Sequence, residues 1–275
     1  MKIIIPMAGL GTRFAKVAHL NPEYFKPKPF IMVKKRPMVR WATGSLPFVA
    51  HADQKKNKKH RVFPQDLIFI ILKEHNEAHH LEEQLRQLYS PQINVIVLDA
   101  VTRGAAETAY KAKDLVNDNE ELLITDSDHY FDGRYLDKVI INRHPKTAGI
   151  IPVFSAPKDG PAKWSYSLIG EKDNVIIKVA EKDPILRDAG AYANIGAYYF
   201  SKAKHFFKEA YDVITKDRRF GDPGKAEFYI APLYQNLIEK GYRVEAAVMP
   251  KGKVWGLGTP EDLEHFFMHC EAENP

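Results

Sequence analysis

An α/β fold, built on a mostly parallel sheet covered by helices, is predicted by three observations. Short apolar runs alternate with amphipathic stretches through the first half of the chain. Runs such as Asp66 to Leu72 (Asp-Leu-Ile-Phe-Ile-Ile-Leu) are apolar on both faces, as strands buried in a parallel sheet are. Acidic and glycine-rich segments follow directly on several of these runs, where open α/β sheets place their ligands.

The elements follow in order. Ile3 to Met7 reads as the first strand, and Pro37 to Phe48 as a helix. After the strand at Asp66–Leu72, Asn76 to Tyr89 has helical spacing through Ala78, Leu81, Leu85 and Leu88. Ile93–Leu98 is a strand, Ala105–Val116 a helix, and Leu122–Thr125 a short strand that ends in acids. The second half is less regular. Strands are expected at Ile150–Phe154, Tyr166–Ile169, Val175–Val179, Ala193–Phe200 and Arg243–Met249, with helices at Ser201–Thr215 and Ala226–Lys240. A last helix starts at Thr259-Pro260-Glu261-Asp262, where Thr259 is a good N-cap, Pro260 fits the first helical position, and the acids suit the helix dipole. The expected layout is one domain over residues 1–275, in two halves at about 1–130 and about 131–275.

The 275 residues, 45% of them hydrophobic, suffice for a sizeable core. No apolar run approaches the roughly 18 residues that cross a bilayer, and Met1-Lys2-Ile3-Ile4-Ile5-Pro6 is too short for a signal peptide. Cys270 is the only cysteine, which excludes an internal disulfide and a cysteine-built zinc site and suits the cytoplasm. The net charge of +5 includes the run Lys55-Lys56-Asn57-Lys58-Lys59-His60-Arg61. That run lacks interleaved aromatics and reads as a solvated loop rather than a nucleic-acid site. A modest positive balance suits phosphorylated substrates. The pair His75 and His79, with His80 adjacent, lacks the His-Glu-x-x-His pattern and an evident third ligand, so it reads as a solvated helix end.

Chemistry enters at Ala8-Gly9-Leu10-Gly11-Thr12-Arg13. A P-loop would end in Gly-Lys-Ser/Thr, and this loop ends in Gly11-Thr12-Arg13. A dinucleotide fingerprint would carry a small residue at position 14, where Phe14 stands, and an acid some 20 residues on, where Lys34-Lys35-Arg36 stands. What remains is a backbone nest whose N–H groups approach phosphate oxygens, with Arg13 adding a charged donor fork. A tight structural turn explains the two glycines equally well. Tyr24-Phe25-Lys26-Pro27-Lys28-Pro29-Phe30 follows. Its prolines stiffen the backbone and fix the direction of Lys28, while Lys26 reads as solvent-exposed.

Taken together, Gly9 to Phe14, then Lys28-Pro29-Phe30, then Lys35-Arg36-Pro37-Met38 resemble the sugar-nucleotidyltransferase (NDP-sugar pyrophosphorylase) family. The likeness runs nearly the full chain. Gly104-Ala105-Ala106-Glu107-Thr108 resembles the element that contacts the nucleobase. Asp126-Ser127-Asp128 stands where the family carries its metal-binding aspartate. Glu181-Lys182 resembles the pair near the sugar phosphate, Tyr192-Ala193-Asn194-Ile195-Gly196 the strand lining the sugar pocket, and Trp255-Gly256-Leu257-Gly258-Thr259 the closing segment. The resemblance implies a Rossmann-like mixed, mostly parallel sheet flanked by helices, of the GT-A-like nucleotidyltransferase type. It departs at one point. Many members carry an aspartate before the final Gly-Thr as a second metal ligand, and Gly256–Thr259 has no carboxylate. Either Asp128 and substrate phosphates hold the metal, or another acid substitutes, with Asp126, Asp222 and Glu227 as the candidates.

The resemblance implies attack by an acceptor phosphate oxygen on the α-phosphorus of an NTP, with release of pyrophosphate. The expected catalytic residues are Arg13, on the β- and γ-phosphates, Lys28, at the α-phosphate, and Asp128, the main ligand of Mg²⁺, with Asp126 as a further candidate ligand. Ala8, Gly9, Gly11, Thr12, Arg13, Gly104 and Ala105 are expected to bind the nucleotide, making about 1–130 the nucleotide-binding half. Glu181, Lys182, Asn194 and Gly196 are expected to bind the acceptor, making about 131–275 the acceptor-binding half, which holds the smaller acceptor-binding subregion. The aromatic stretches Trp164-Ser165-Tyr166 and Glu227-Phe228-Tyr229 fit an acceptor pocket or a core equally well. The expected partners are an NTP and a phosphorylated small-molecule acceptor, with no nucleic acid and no membrane; a homo-oligomer is compatible with the sequence. The alternatives are a cytidylyltransferase for a non-sugar phosphate such as phosphocholine, a metal-dependent glycosyltransferase using Asp126-Ser127-Asp128, and a non-catalytic nucleotide sensor.

Overall fold

In a computed structural model of the chain, residues 1–50, 61–157, 159–221, 224 and 226–272 are described. Asp222, and all of the basic run except Arg61, lie outside the described residues. The fold is the expected mixed α/β sheet flanked by helices. The chain divides into two compact units, each assembled from separate stretches of sequence.

The first unit holds Ile3–Val101, Thr125–Arg134 and Gly252–Pro275. Its centre is the parallel set Lys2–Pro6, Leu67–Leu72 and Asn94–Leu98, with Ile3 opposite Leu67 and Ile68 opposite Asn94. All six residues of Leu67–Leu72 are buried, which is why this strand carries Leu, Ile and Phe on both faces. Beside it lies a second core of Phe14, Ile31, Val33, Met38, Trp41, Leu257, Leu263 and Phe266. Trp41 anchors it, donating its indole N–H to the Val33 carbonyl at 2.7 Å and meeting Phe266 edge-on at 5.1 Å. A short antiparallel pair, His129–Phe131 with Val254–Gly256, joins sequence segments more than a hundred residues apart. Neither strand was expected from the sequence.

The second unit holds Met1–Lys2, Thr102–Ile124 and Tyr135–Lys251. Its strands run in the order Ile176–Glu181, Ser165–Ile169, Tyr192–Asn194, Thr147–Phe154, Ala197–Phe200, Leu122–Thr125, and Arg243–Val248 pairs in parallel with Thr147–Phe154. The first five pair antiparallel. Helices Ala203–Thr215 and Ala231–Glu239 bury Phe206, Phe207, Val213, Leu233, Tyr234 and Leu237.

Three expected elements are each two. The helix expected over Asn76–Tyr89 is Lys73–His79 followed by Leu81–Leu88, because His80 takes a left-handed conformation at φ 51°. Asn76 stabilises the break: its side-chain oxygen accepts from the Glu82 N–H at 2.8 Å. The helix expected over Ala105–Val116 stops at Tyr110 and resumes as a 3₁₀ turn at Lys113–Leu115. The strand expected over Ala193–Phe200 splits around Ile195 and Gly196. Asn194 pairs with Val153 and Tyr199 with Ile150, and the Ile195 N–H bonds the Pro152 carbonyl at 2.9 Å between them. Among the described residues no helix is long and apolar enough to cross a membrane.

Candidate functional site

In the first unit the chain leaves the strand Lys2–Pro6 and enters the glycine loop. Gly11 sits at φ 64°, a conformation open to glycine, and caps the one-turn helix Thr12–Ala15. The N–H groups of Gly9 through Arg13 donate to no acceptor among the described residues, while the Gly11 carbonyl takes the N–H groups of Phe14 and Ala15. Phe14 is buried and edges against Tyr24 at 5.0 Å, which fixes the loop to the core behind it. The exposed loop therefore presents a row of unpaired donors, the property an anion nest needs.

Lys28 comes to the same place. Pro27 is extended, and Lys28–Phe30 forms a 3₁₀ turn whose Pro29 and Phe30 are buried. The Lys28 Cβ lies 3.4 Å from the position a Cβ on Gly11 would take. Its ammonium donates to Asp128 Oδ2 at 2.6 Å. Burial alone would push the Asp128 carboxyl up; the charge and hydrogen bond of Lys28, helped by His129 and Arg13, hold it below the ordinary aspartate value. Arg13, Lys28 and Asp128 thus form one electrostatic group. Lys26, by contrast, reaches out to Glu23 at 2.5 Å.

Asp126, Asp128 and His129 each offer a ligand atom, and these atoms lie within 4.8 Å of one another. Burial pushes the His129 imidazole down to about 4, so it is neutral at neutral pH, and its Nε2 has no partner among the described residues. The closing segment packs directly alongside. Gly256 is opposite His129, and the Leu257 N–H bonds the Asp128 carbonyl at 2.8 Å. A Cβ on Gly258 would lie 2.7 Å from Asp128 Oδ2, so only glycine leaves the carboxylate its place. Of the acids proposed to replace the late aspartate, Asp126 belongs to this group. Glu227 lies elsewhere, close enough to Glu181 and Lys182 to act on both charges. Two carboxylates and an unpartnered buried nitrogen fit a divalent cation that completes its shell with phosphate oxygens.

In the second unit, cross-strand pairing puts Ser165, Ser167, Glu181, Tyr192 and Asn194 on one face: Glu181 opposes Ser165, and Tyr192 opposes Ser167. Ser165 Oγ donates to Glu181 Oε2, and Ser167 Oγ bonds Asn194 Oδ1 at 2.7 Å. Burial pushes the Glu181 carboxyl up, with Ser165 and Lys182 working against it. Lys182 follows at φ 50°, and its ammonium donates to Tyr229 Oη at 2.8 Å. Gly196 lies in the break beyond Asn194.

Gly104, at φ 146°, opens the helix Ala105–Tyr110. A Cβ there would meet the Phe228 backbone at 2.5 Å. The Phe228 N–H bonds the Arg103 carbonyl at 3.0 Å, and the Ala106 N–H bonds the Phe228 carbonyl at 2.8 Å. His129, Ser165 and Tyr229 take places in this geometry that the sequence did not single out. For Gly258 the sequence signal is the closing segment Trp255 to Thr259, which does not tell of its contact with Asp128. For Tyr229 it is an aromatic residue in a stretch equally compatible with a core.

A family model described as nucleotidyl transferase matches residues 28–273, beginning at Lys28 and leaving the glycine loop ahead of it. The chain is 22% identical over 204 residues to the mannose-1-phosphate guanylyltransferase catalytic subunit beta of Dictyostelium discoideum. That match covers 73% of this chain and spans half the length of the relative. Among solved structures, the nucleoside-diphosphate-sugar pyrophosphorylase of Vibrio cholerae RC9 superposes with a TM-score of 0.71 at 23% identity, covering 97% of this chain and 99% of that one. The inositol-1-phosphate CTP transferase of T. maritima superposes with a TM-score of 0.69 at 15% identity, covering 98% and 96%. At these identities the likeness is one of fold. The family match, over most of the chain and in accord with the motifs at Lys28, Asp128 and Glu181-Lys182, settles membership: the chain belongs to the nucleotidyl transferase family.

Proposed function

We propose that the chain joins an NTP to a sugar 1-phosphate, giving an NDP-sugar and pyrophosphate. The observation that carries this is the group of Arg13, Lys28 and Asp128 at a loop whose N–H groups from Gly9 to Arg13 meet no acceptor among the described residues. An acceptor phosphate oxygen attacks the α-phosphorus. The bond from the α-phosphorus to its bridging oxygen breaks, and pyrophosphate leaves with the electron pair. The nucleophile is already an anion, so no side chain has to remove a proton; the work is positioning two anions and offsetting their repulsion. The nest and Arg13 hold the leaving phosphates, and Lys28 faces the charge that develops at the α-phosphate. Asp126 and Asp128 would hold Mg²⁺, which supplies further neutralisation of phosphate charge. Gly104 and Ala105 serve the nucleobase, and Glu181, Lys182, Asn194 and Gly196 the acceptor.

A second acceptor class has one observation in its favour. Glu181 and Glu227 act together near Lys182, whose backbone bonds the Trp164 carbonyl and whose ammonium lies over the Tyr229 ring. Two carboxylates near one site suit a cationic head group such as that of phosphocholine. Pyrophosphate release from each of four NTPs, measured with Mg²⁺ against glucose 1-phosphate, mannose 1-phosphate, inositol 1-phosphate and phosphocholine, decides between them. Release that depends on a sugar 1-phosphate supports the first assignment. Release with phosphocholine alone replaces it, and release with no acceptor dependence overturns both.

A further inference from the structure

Lys182 is held in an unusual way for a lysine beside acids. Its backbone is pinned: the N–H bonds the Trp164 carbonyl at 2.9 Å, and φ is 50° where the strand Ile176–Glu181 turns into the helix Pro184–Asp188. The side chain therefore leaves on a fixed vector. Its neighbour Glu181 is the obvious partner, yet the ammonium stops 3.9 Å from Glu181 Oε1 and instead sits 2.8 Å from Tyr229 Oη and 4.8 Å from the centre of its ring. Ser165 holds the other Glu181 oxygen.

The chemical difference between the two partners matters. A carboxylate at hydrogen-bond distance neutralises an ammonium, and an incoming phosphate would have to break that pair. A phenol oxygen accepts a hydrogen bond and leaves the positive charge uncancelled. The ring face beneath adds a cation–π attraction without adding a negative charge.

Tyr229 is itself rigidly set. The preceding residue, Phe228, is fully buried and bonded through both its N–H and its carbonyl to Arg103 and Ala106. Glu227 is paired in both directions with Phe220, at 2.9 Å each way. The segment that aims Tyr229 is thus clamped to the turn at Gly104.

We propose that Tyr229 is a positioning residue for Lys182, holding its ammonium by a neutral oxygen so that its charge stays available to the acceptor phosphate. This rests on the assignment of Lys182 to that phosphate. Three variants of the full chain test it: Tyr229→Phe, Lys182→Met and the double variant. Each is assayed by pyrophosphate release with glucose 1-phosphate, mannose 1-phosphate, inositol 1-phosphate and phosphocholine. Tyr229→Phe keeps the ring and removes the oxygen. It is expected to raise the acceptor KM about tenfold, the worth of one hydrogen bond to a charged group, while the NTP KM and the Tm stay unchanged. In the Lys182→Met background the same change is expected to add nothing, because its effect runs through the ammonium. An unchanged acceptor KM in Tyr229→Phe, or an effect that multiplies in full with that of Lys182→Met, overturns the positioning role alone. An unchanged acceptor KM in Lys182→Met, or no turnover of any of the four acceptors by the parent chain, overturns the assignment beneath it as well.

Discussion

Lys28 and Asp128, exactly one hundred residues apart in sequence, meet at 2.6 Å beside the glycine loop. The pair holds Asp128 ionised against the cost of its surroundings and keeps Lys28 pointed at the loop. Lys28→Met is expected to fold, with an unchanged circular dichroism spectrum, and to lose on the order of 10²–10³ in turnover, as removal of a preorganised charge-stabilising group does. Near-normal turnover would remove Lys28 from the reaction.

Gly258 makes a separate, steric prediction. Its Cβ position lies 2.7 Å from Asp128 Oδ2, so Gly258→Ala must displace the carboxylate that Lys28 holds. Turnover is expected to fall on the order of 10²-fold, in line with the loss of one preorganised electrostatic contact. A fully active Gly258→Ala enzyme would show that the observed place of Asp128 is not the working one.

Gly104 is constrained twice, by a positive φ and by the Phe228 backbone 2.5 Å from its Cβ position. Gly104→Ala is expected to cost about 1–3 kcal/mol in stability, as overpacking does. Thermal unfolding measures it; an unchanged Tm would mean that the turn relaxes freely and does not clamp the segment before Tyr229.

Glu107 gives a pH-dependent prediction. It accepts from the Arg103 N–H at 2.7 Å and from the Arg103 guanidinium at 2.6 Å. The guanidinium hydrogen bond, outweighing the opposing effect of burial, holds the carboxyl below its ordinary value near 4.5. A group depressed on folding adds stability above its unfolded pKa and loses it as pH falls through the folded one. The Tm of Glu107→Gln is therefore expected to lie below that of the parent chain at pH 7, with the gap closing below about pH 4.5. A gap that stays constant from pH 7 to pH 3 would contradict this.

The parallel strands of the first unit were legible because periodicity reports burial directly: Leu67–Leu72 is apolar on both faces and buried on both. The Thr259 cap was legible because its chemistry is local, and its Oγ1 accepts the Asp262 N–H at 3.1 Å. The breaks at His80 and Ile195 were not. His80 carries no glycine signal, and the split at Ile195 depends on which residues of Thr147–Phe154 lie opposite. Lys28 and Asp128 could be named from motifs, but their contact is a product of the folded chain. Tyr229 and Ser165, and the contact of Gly258 with Asp128, acquire meaning only through neighbours distant in sequence, and no spacing along the chain announces such neighbours.

The most direct test of the central claim follows the phosphorus atoms. The chain is incubated with Mg²⁺, the acceptor selected by the pyrophosphate screen, and NTP labelled either at the α- or at the γ-phosphate. The account predicts that the α-label moves into an acceptor-linked product while the γ-label leaves in pyrophosphate, both only when acceptor is present. A γ-label found in the acceptor product, or labelled pyrophosphate formed without acceptor, would contradict it.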